Sequence, residues 1–217
     1  MKKYELLKDD KIELNGITLY HIRALRDFSD VKAGDLGGYI EKESNLSHEG
    51  DCWVYNDAKV FDNAKVYGSA KVKTKAKVYG NARVHGSAMV IGEARVFEYA
   101  HLYERARVSH IASVHGNAMI LGNAKVSIDV NIYGDARLSG NALVSEQKDV
   151  VWFSNINSNF ETLTISNGKD EGLLVTRGGV TCTVDDFLDS SAKFNNGRTH
   201  REIELLIEVA KSRILNG

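Results

Sequence analysis

The chain contains no proline. That excludes proline-rich linkers and cis-proline turns. Its two cysteines, Cys52 and Cys182, make no disulfide framework, and neither has a second cysteine nearby for metal or redox chemistry. No apolar run approaches the roughly 18 residues that a membrane span requires, so no membrane partner is expected. The opening Met1-Lys2-Lys3-Tyr4-Glu5 lacks the apolar core of a signal peptide, and the reading is a reducing cytoplasm. Net charge is -1, so the molecule as a whole is not an obvious binder of polyanions.

What the chain has in quantity is one repeat. A large apolar residue recurs every six positions from Val54 through Val60, Val66 and onward to Val144 without an insertion. Two residues before each stands a small one, beginning with Cys52 and Ala58 and broken only by Val130. Ala76-Lys77-Val78-Tyr79-Gly80-Asn81 is close to the consensus. Residues two apart share a face of an extended chain, and Gly-Asn or Gly-Ser supplies a corner. A helix needs a spacing near 3.6, which six does not match. A single unit cannot bury its apolar face, but stacked coils can. Three units make a triangular coil, giving about five coils and a prism on the order of 25 Å tall at about 4.8 Å per coil. Cys52 falls in the inward alanine phase and reads as core.

The pattern resembles the hexapeptide-repeat, left-handed parallel β-helix proteins. That family usually places glycine directly after the large apolar residue, whereas here an aromatic follows and glycine comes one later, as in Val66-Tyr67-Gly68. The expected fold is mainly β: a single-stranded left-handed parallel β-helix with an N-terminal hairpin cap and a small C-terminal α+β module. The domains are 1–38, 39–150 and 151–217.

Residues 18 apart lie in one column of such a prism. One column reads Phe61, Tyr79, Phe97, His115, Tyr133, and the outward strand positions carry cations, among them Lys65, Lys77, Arg83 and Arg95. Between residues 52 and 144 there are 12 Lys/Arg and 7 Asp/Glu, a local excess of 12 − 7 = +5. Three readings fit. Stacked aromatics and lysines can simply pack and solvate corners and sheet. An aromatic column can bury against another copy in a dimer or trimer. Or Lys65, Lys77, Arg83, Arg95, Tyr79 and Phe97 contact a nucleic acid or nucleotide.

Many proteins of the resembled family are CoA-dependent acyltransferases with a histidine base on an exposed loop or corner. His110, which replaces a corner glycine, and His115 are the candidates here. The uninterrupted repeat leaves little concave surface for a substrate. His110 and His115 also have the spacing of two zinc ligands in γ-class carbonic anhydrases. The third ligand, expected about two coils earlier, meets Lys73-Thr74-Lys75 instead. No metal and no cofactor is therefore expected.

Asn15-Gly16 between apolar runs signals a β-hairpin over residues 4–25, expected to lie across the open end of the coil. Ile40 and Leu46 read as a backward continuation of the alanine phase from Cys52. Residues 22–54 resemble a group of bacterial and phage-borne repeat proteins often labelled transferases. Beyond Val144, Val150-Val151-Trp152-Phe153 is expected to seal the far end. Phe160–Ser166 and Gly172–Thr176 read as strands, Thr183 caps one helix, and Thr199-His-Arg-Glu202 starts another running to about Leu215. This C-terminal part resembles modules appended to phage hexapeptide-repeat proteins. The resemblances imply a noncatalytic phage or mobile-element protein in a bacterial cytoplasm that binds and inhibits host machinery, by acting against a defence nuclease or sequestering a nucleotide signal. A CoA-dependent acyltransferase and a structural or assembly protein are the alternatives.

Overall fold

The computed structural model describes residues 2–156, 161–170 and 172–216. Its body is a β-solenoid. Sixteen two-residue strands run from Trp53–Val54 to Leu143–Val144, and each of the first thirteen pairs in parallel with the strand three units further along the chain. They form three sheets. The first sheet turns Ile40, Val60, Val78, Val96, Val114 and Ile132 inward. The second stacks Val66, Val84, Leu102, Ile120 and Leu138, with Leu46 bridged to Val66. The third runs from Val54 to Val144. All of these side chains are buried, as are the alanines two residues before them. Because each coil holds three whole repeat units, like falls on like, and the interior consists of columns of valine and alanine.

There are about six coils rather than five. Ile40 pairs with Val60 and Leu46 with Val66, so both occupy the large apolar columns and not the alanine phase. Eight residues separate Leu46 from Val54 where six is the rule. The two extra residues hide the first coil from a strict period.

Every corner uses a left-handed backbone at the second position after the large residue. Glycine often fills it, as at Gly68, Gly80 and Gly86, but Asp62, Thr74, Glu98, Glu104, His110 and Ile128 take the same positive φ. The substitution of His110 at a glycine position is thus one of several. Glu98 and Glu104 turn the site to use: their carboxylates accept the N–H of Gly116 and Gly122 one coil on, at 2.8 and 2.7 Å.

The N-terminal hairpin is present as β1 (Tyr4–Leu14) and β2 (Ile17–Ala24), joined at Asn15-Gly16. Its base covers the first coil, where Tyr4, Ile22 and Ala24 join the solenoid core. It adds through β3 (Leu36–Ile40) to the edge of the first sheet. The following segment laps the neighbouring sheet. Phe28 and Tyr4 pack edge-on against Trp53 at 5.3 and 6.0 Å. Asp30 accepts from Tyr55 and Lys71 at 2.8 and 2.7 Å, and these bonds hold its carboxyl well below the usual range. Unpaired carbonyls at the first coil are met by two buried side chains. Lys3 Nζ donates to the carbonyls of Gly50 and Cys52 at 3.2 and 2.8 Å, and Tyr4 Oη to that of Leu46 at 2.7 Å.

At the far end, Val150–Ile156 does more than seal the coil. It is the first strand of a four-stranded antiparallel sheet with Glu161–Asn167, Leu173–Arg177 and Val180–Thr183. Val150 belongs to the solenoid core and Val151 to the core of this module. Phe160, expected to open a strand, lies outside the described residues. Helices α1 (Val184–Phe194) and α2 (Gly197–Asn216) cover the sheet. Thr183 caps α1 as expected, accepting from Asp186 N at 3.3 Å. Helix α2 begins before Thr199, because Asn196 Oδ1 takes the Thr199 N–H at 2.9 Å. Ile203, Ile207, Ala210 and Ile214 form its buried face. No helix among the described residues is long and apolar enough to cross a membrane.

Candidate functional site

The corner between the first and second sheets carries the aromatic column. Phe61, Tyr79, Phe97, His115 and Tyr133 stack with centroid spacings of 5.0, 4.9, 4.6 and 5.6 Å, and Trp152 closes the ladder edge-on to Tyr133. The coil rise forces this, since identical corner positions recur at about the stacking distance. Tyr79 and Phe97 lie parallel to their neighbours within 6° on both sides. Their faces are therefore occupied, and what they offer a ligand is edges and rigidity.

The six candidate residues divide between the two sheets that meet at this corner: Lys77, Tyr79, Arg95 and Phe97 share one side, while Arg83 on the other acts on His85 and His101 at the next corner. Lys77 and Arg95 are paired neighbours on the first sheet, two residues before Tyr79 and Phe97. Lys65 and Arg83 are paired neighbours on the second sheet, just past the corner. None of these four cationic side chains makes an ion pair or hydrogen bond among the described residues. Arg95 lies close enough to Tyr79 to oppose the rise that burial imposes on the Tyr79 hydroxyl.

The first sheet is not flat. Ile12 of the hairpin overhangs it and helps to bound a cavity of about 440 Å³ lined by Tyr39, by the cations Lys59, Lys75, Lys77 and Arg95, and by the acids Asp57 and Glu93. Lys59 sits with its ammonium 5.6 Å from the Tyr39 ring centre and donates to the Asp57 carbonyl at 2.8 Å. Burial, with Lys77 and Lys75 nearby, keeps its pKa below the ordinary value. Lys75 reaches Glu93 at 3.4 Å. Among the described residues, Lys77 and Arg95 remain as the cations of this cavity without an ion-pair or hydrogen-bond partner. The repeat alone hides this concavity, because its overhang comes from a hairpin that precedes the repeat. Asn15-Gly16 was the available signal.

His110 and His115 occupy different corners. His110 is exposed and within 3.3 Å of Ser109 Oγ. His115 is held in the ladder with Nδ1 3.5 Å from Glu98. No group of three or more metal-ligating side chains occurs among the described residues. A closer histidine pair has no signature in the repeat spacing: His85 and His101 converge across the next corner.

The six-residue repeat, wound into three parallel sheets, makes this chain a β-solenoid of the hexapeptide-repeat type. Residues 76–92 match the family model described as the YdcK β-solenoid repeat. Over 63 residues the chain is 36% identical to a protein of Escherichia coli K12 named uncharacterized acetyltransferase YdcK. That stretch is 26% of this chain and 19% of the relative, so the chain spans about a fifth of the protein it matches.

Proposed function

We propose that this protein works by binding, as a rigid scaffold that presents a cationic corner to an acidic surface of a host protein. The observation that carries this is the quartet Lys65, Lys77, Arg83 and Arg95, unpaired on both flanks of a locked aromatic ladder. The period aligns such cations whatever their use; what a role in solubility alone does not supply is the overhung groove beside Lys77 and Arg95. Positive charge gathered at a concavity focuses its field and speeds capture of an anionic partner. Inhibition of host machinery by a phage or mobile-element protein is the finer form of this reading, and it is supported by the resemblance of residues 22–54 and of the C-terminal part. The test is affinity purification of the tagged protein from a bacterial host, followed by mass spectrometry of proteins and small molecules. A stoichiometric host protein, lost on Lys77→Glu with Arg95→Glu, is the expected result. Recovery of nucleic acid instead, or retention of the partner by the double variant, overturns it.

A second reading is favoured by the likeness to the E. coli relative: a CoA-dependent acyltransferase. The groove cations suit the phosphates of CoA, and Glu98 beside His115 Nδ1 would orient that ring as a general base. Under this reading acetyl-CoA binds, Lys77→Glu weakens it, and His115→Ala abolishes turnover while leaving binding intact.

A further inference from the structure

The last coils and the C-terminal sheet enclose a second cavity, of about 350 Å³, at the opposite end from the hairpin groove. Arg105, Asn123 and Asn141 line it from one corner column, each one coil after the last. Lys125 and Leu143, paired on the third sheet, form the adjoining wall. Lys169 closes it from above. Its turn is fastened to the coil by the Ala142–Gly168 bridge and by its own N–H on the Asn141 carbonyl at 3.0 Å.

Three cations line this cavity and no acid does, among the described residues. Arg105 and Lys125 make no side-chain ion pair or hydrogen bond among them, and Lys169 has only an exposed contact of 3.7 Å with Asp170. The three exposed cations share one concavity with no acid in its wall, a setting that attracts a multivalent anion. The amides add neutral donors: Asn123 Nδ2 donates to Asn141 Oδ1 at 3.2 Å, which fixes the orientation of the ladder. Guanidinium, ammonium and amide together form the donor set suited to phosphate oxygens. Leu143, the last outward residue of its sheet, is 36% exposed, which leaves an apolar wall for an organic group. The volume lies at the small end of ligand sites.

We propose that this cavity binds a small phosphorylated molecule of nucleotide size, its phosphates held by Arg105, Lys125 and Lys169. The site is separate from the groove of Lys77 and Arg95 and does not depend on the function proposed for it.

Titration calorimetry of the full chain with ADP, and with adenosine as the uncharged control, tests this. Saturable binding of ADP, none of adenosine, and at least a tenfold loss of affinity in Arg105→Glu are expected, with Lys8→Glu, at an exposed position of the hairpin, unchanged. Arg105 is exposed, and a melting temperature within a few degrees of wild type establishes that its variant folds. Amine-reactive labelling of the unaltered protein gives a second readout, in which ADP protects Lys125 and Lys169 and leaves Lys65 labelled. Absence of ADP binding at millimolar concentration, equal binding of adenosine, an unaffected Arg105→Glu variant, or protection of Lys65 instead overturns the proposal.

Discussion

His85 and His101 meet Nε2 to Nε2 at 2.7 Å. One ring donates a proton and the other must accept it, so the pair tolerates at most one imidazolium. Burial lowers both pKa values first, and Arg83 lowers both further, with His85 also acting on His101. Tyr67 and Tyr103 flank His85, and Tyr103 also touches His101, without adding a carboxylate. The folded state therefore binds fewer protons than the unfolded chain, whose histidines titrate near about 6.5. Stability from the pair is present above that pH and is lost as pH falls through the lower folded values. Urea unfolding should show a higher midpoint for wild type than for His101→Gln at pH 7.5 and a smaller gap at pH 5. A gap that stays constant or widens refutes the coupling.

The corners make two opposite predictions. A Cβ on Gly86 would stand 2.7 Å from the Glu104 backbone nitrogen, and neither coil can move without breaking the ladder. Gly86→Ala should lose about 1–3 kcal/mol. Ile128 is the reverse case: a β-branched residue at φ 61 with its side chain 52% exposed. A left-handed backbone costs a non-glycine residue about 1–2 kcal/mol, partly offset by glycine's greater freedom when unfolded. Ile128→Gly should therefore gain about 0.5–1 kcal/mol in urea unfolding. A loss would mean that the exposed side chain contributes contacts beyond this corner.

The solenoid was legible because its signal is long-range order written locally. Val78 predicts Val96 above it, and one rule covers residues 52–144, nearly half of the chain. The same rule misled at Leu46, where two added residues before Val54 broke the phase while the pairing to Val66 persisted. Asn15-Gly16 announced the hairpin but not its attachment, since the edge it joins is set by β3 pairing with Lys59-Val60. Lys77, Arg95, Tyr79 and Phe97 could be grouped from their shared columns. Lys169 on the same cavity as Arg105 could not, because that placement depends on how a separate sheet docks on the last coil. His85 and His101 sit in different columns, and only the lean of the His101 ring brings them together.

The hairpin end is held by polar groups that have no substitute. Tyr4 is fully buried, and its hydroxyl serves the carbonyls of Leu46 and Glu43 at 2.7 and 3.1 Å. Burial, with Glu43 and Cys52 nearby, raises its pKa, so it remains a donor at any ordinary pH. Tyr4→Phe keeps the ring against Trp53 but leaves a buried carbonyl without its donor. A loss of about 1–3 kcal/mol is expected, with hydrogen exchange accelerating at β1 and the first coil while the C-terminal module is unchanged. Uniform acceleration throughout the chain would show instead that the hairpin and solenoid unfold as one unit.

Ala94 tests how narrow the interior is. It is fully buried, and its carbonyl accepts the Lys77 N–H at 2.9 Å while Arg95 N–H goes to Ala112 on the other side. The coil is thus tied above and below, and added volume cannot be absorbed by sliding. Ala94→Leu introduces three carbons where adjacent coils also place alanine. Overpacking of this kind costs about 1–3 kcal/mol, occasionally more. Ala142, at the last coil, has a neighbour on only one side within the solenoid and is bridged to Gly168 on the other. Ala142→Leu should therefore cost less, because the docked turn can shift where a central coil cannot. Urea midpoints measured side by side decide it: equal losses would mean that the C-terminal module is packed on the last coil as rigidly as one coil is on the next.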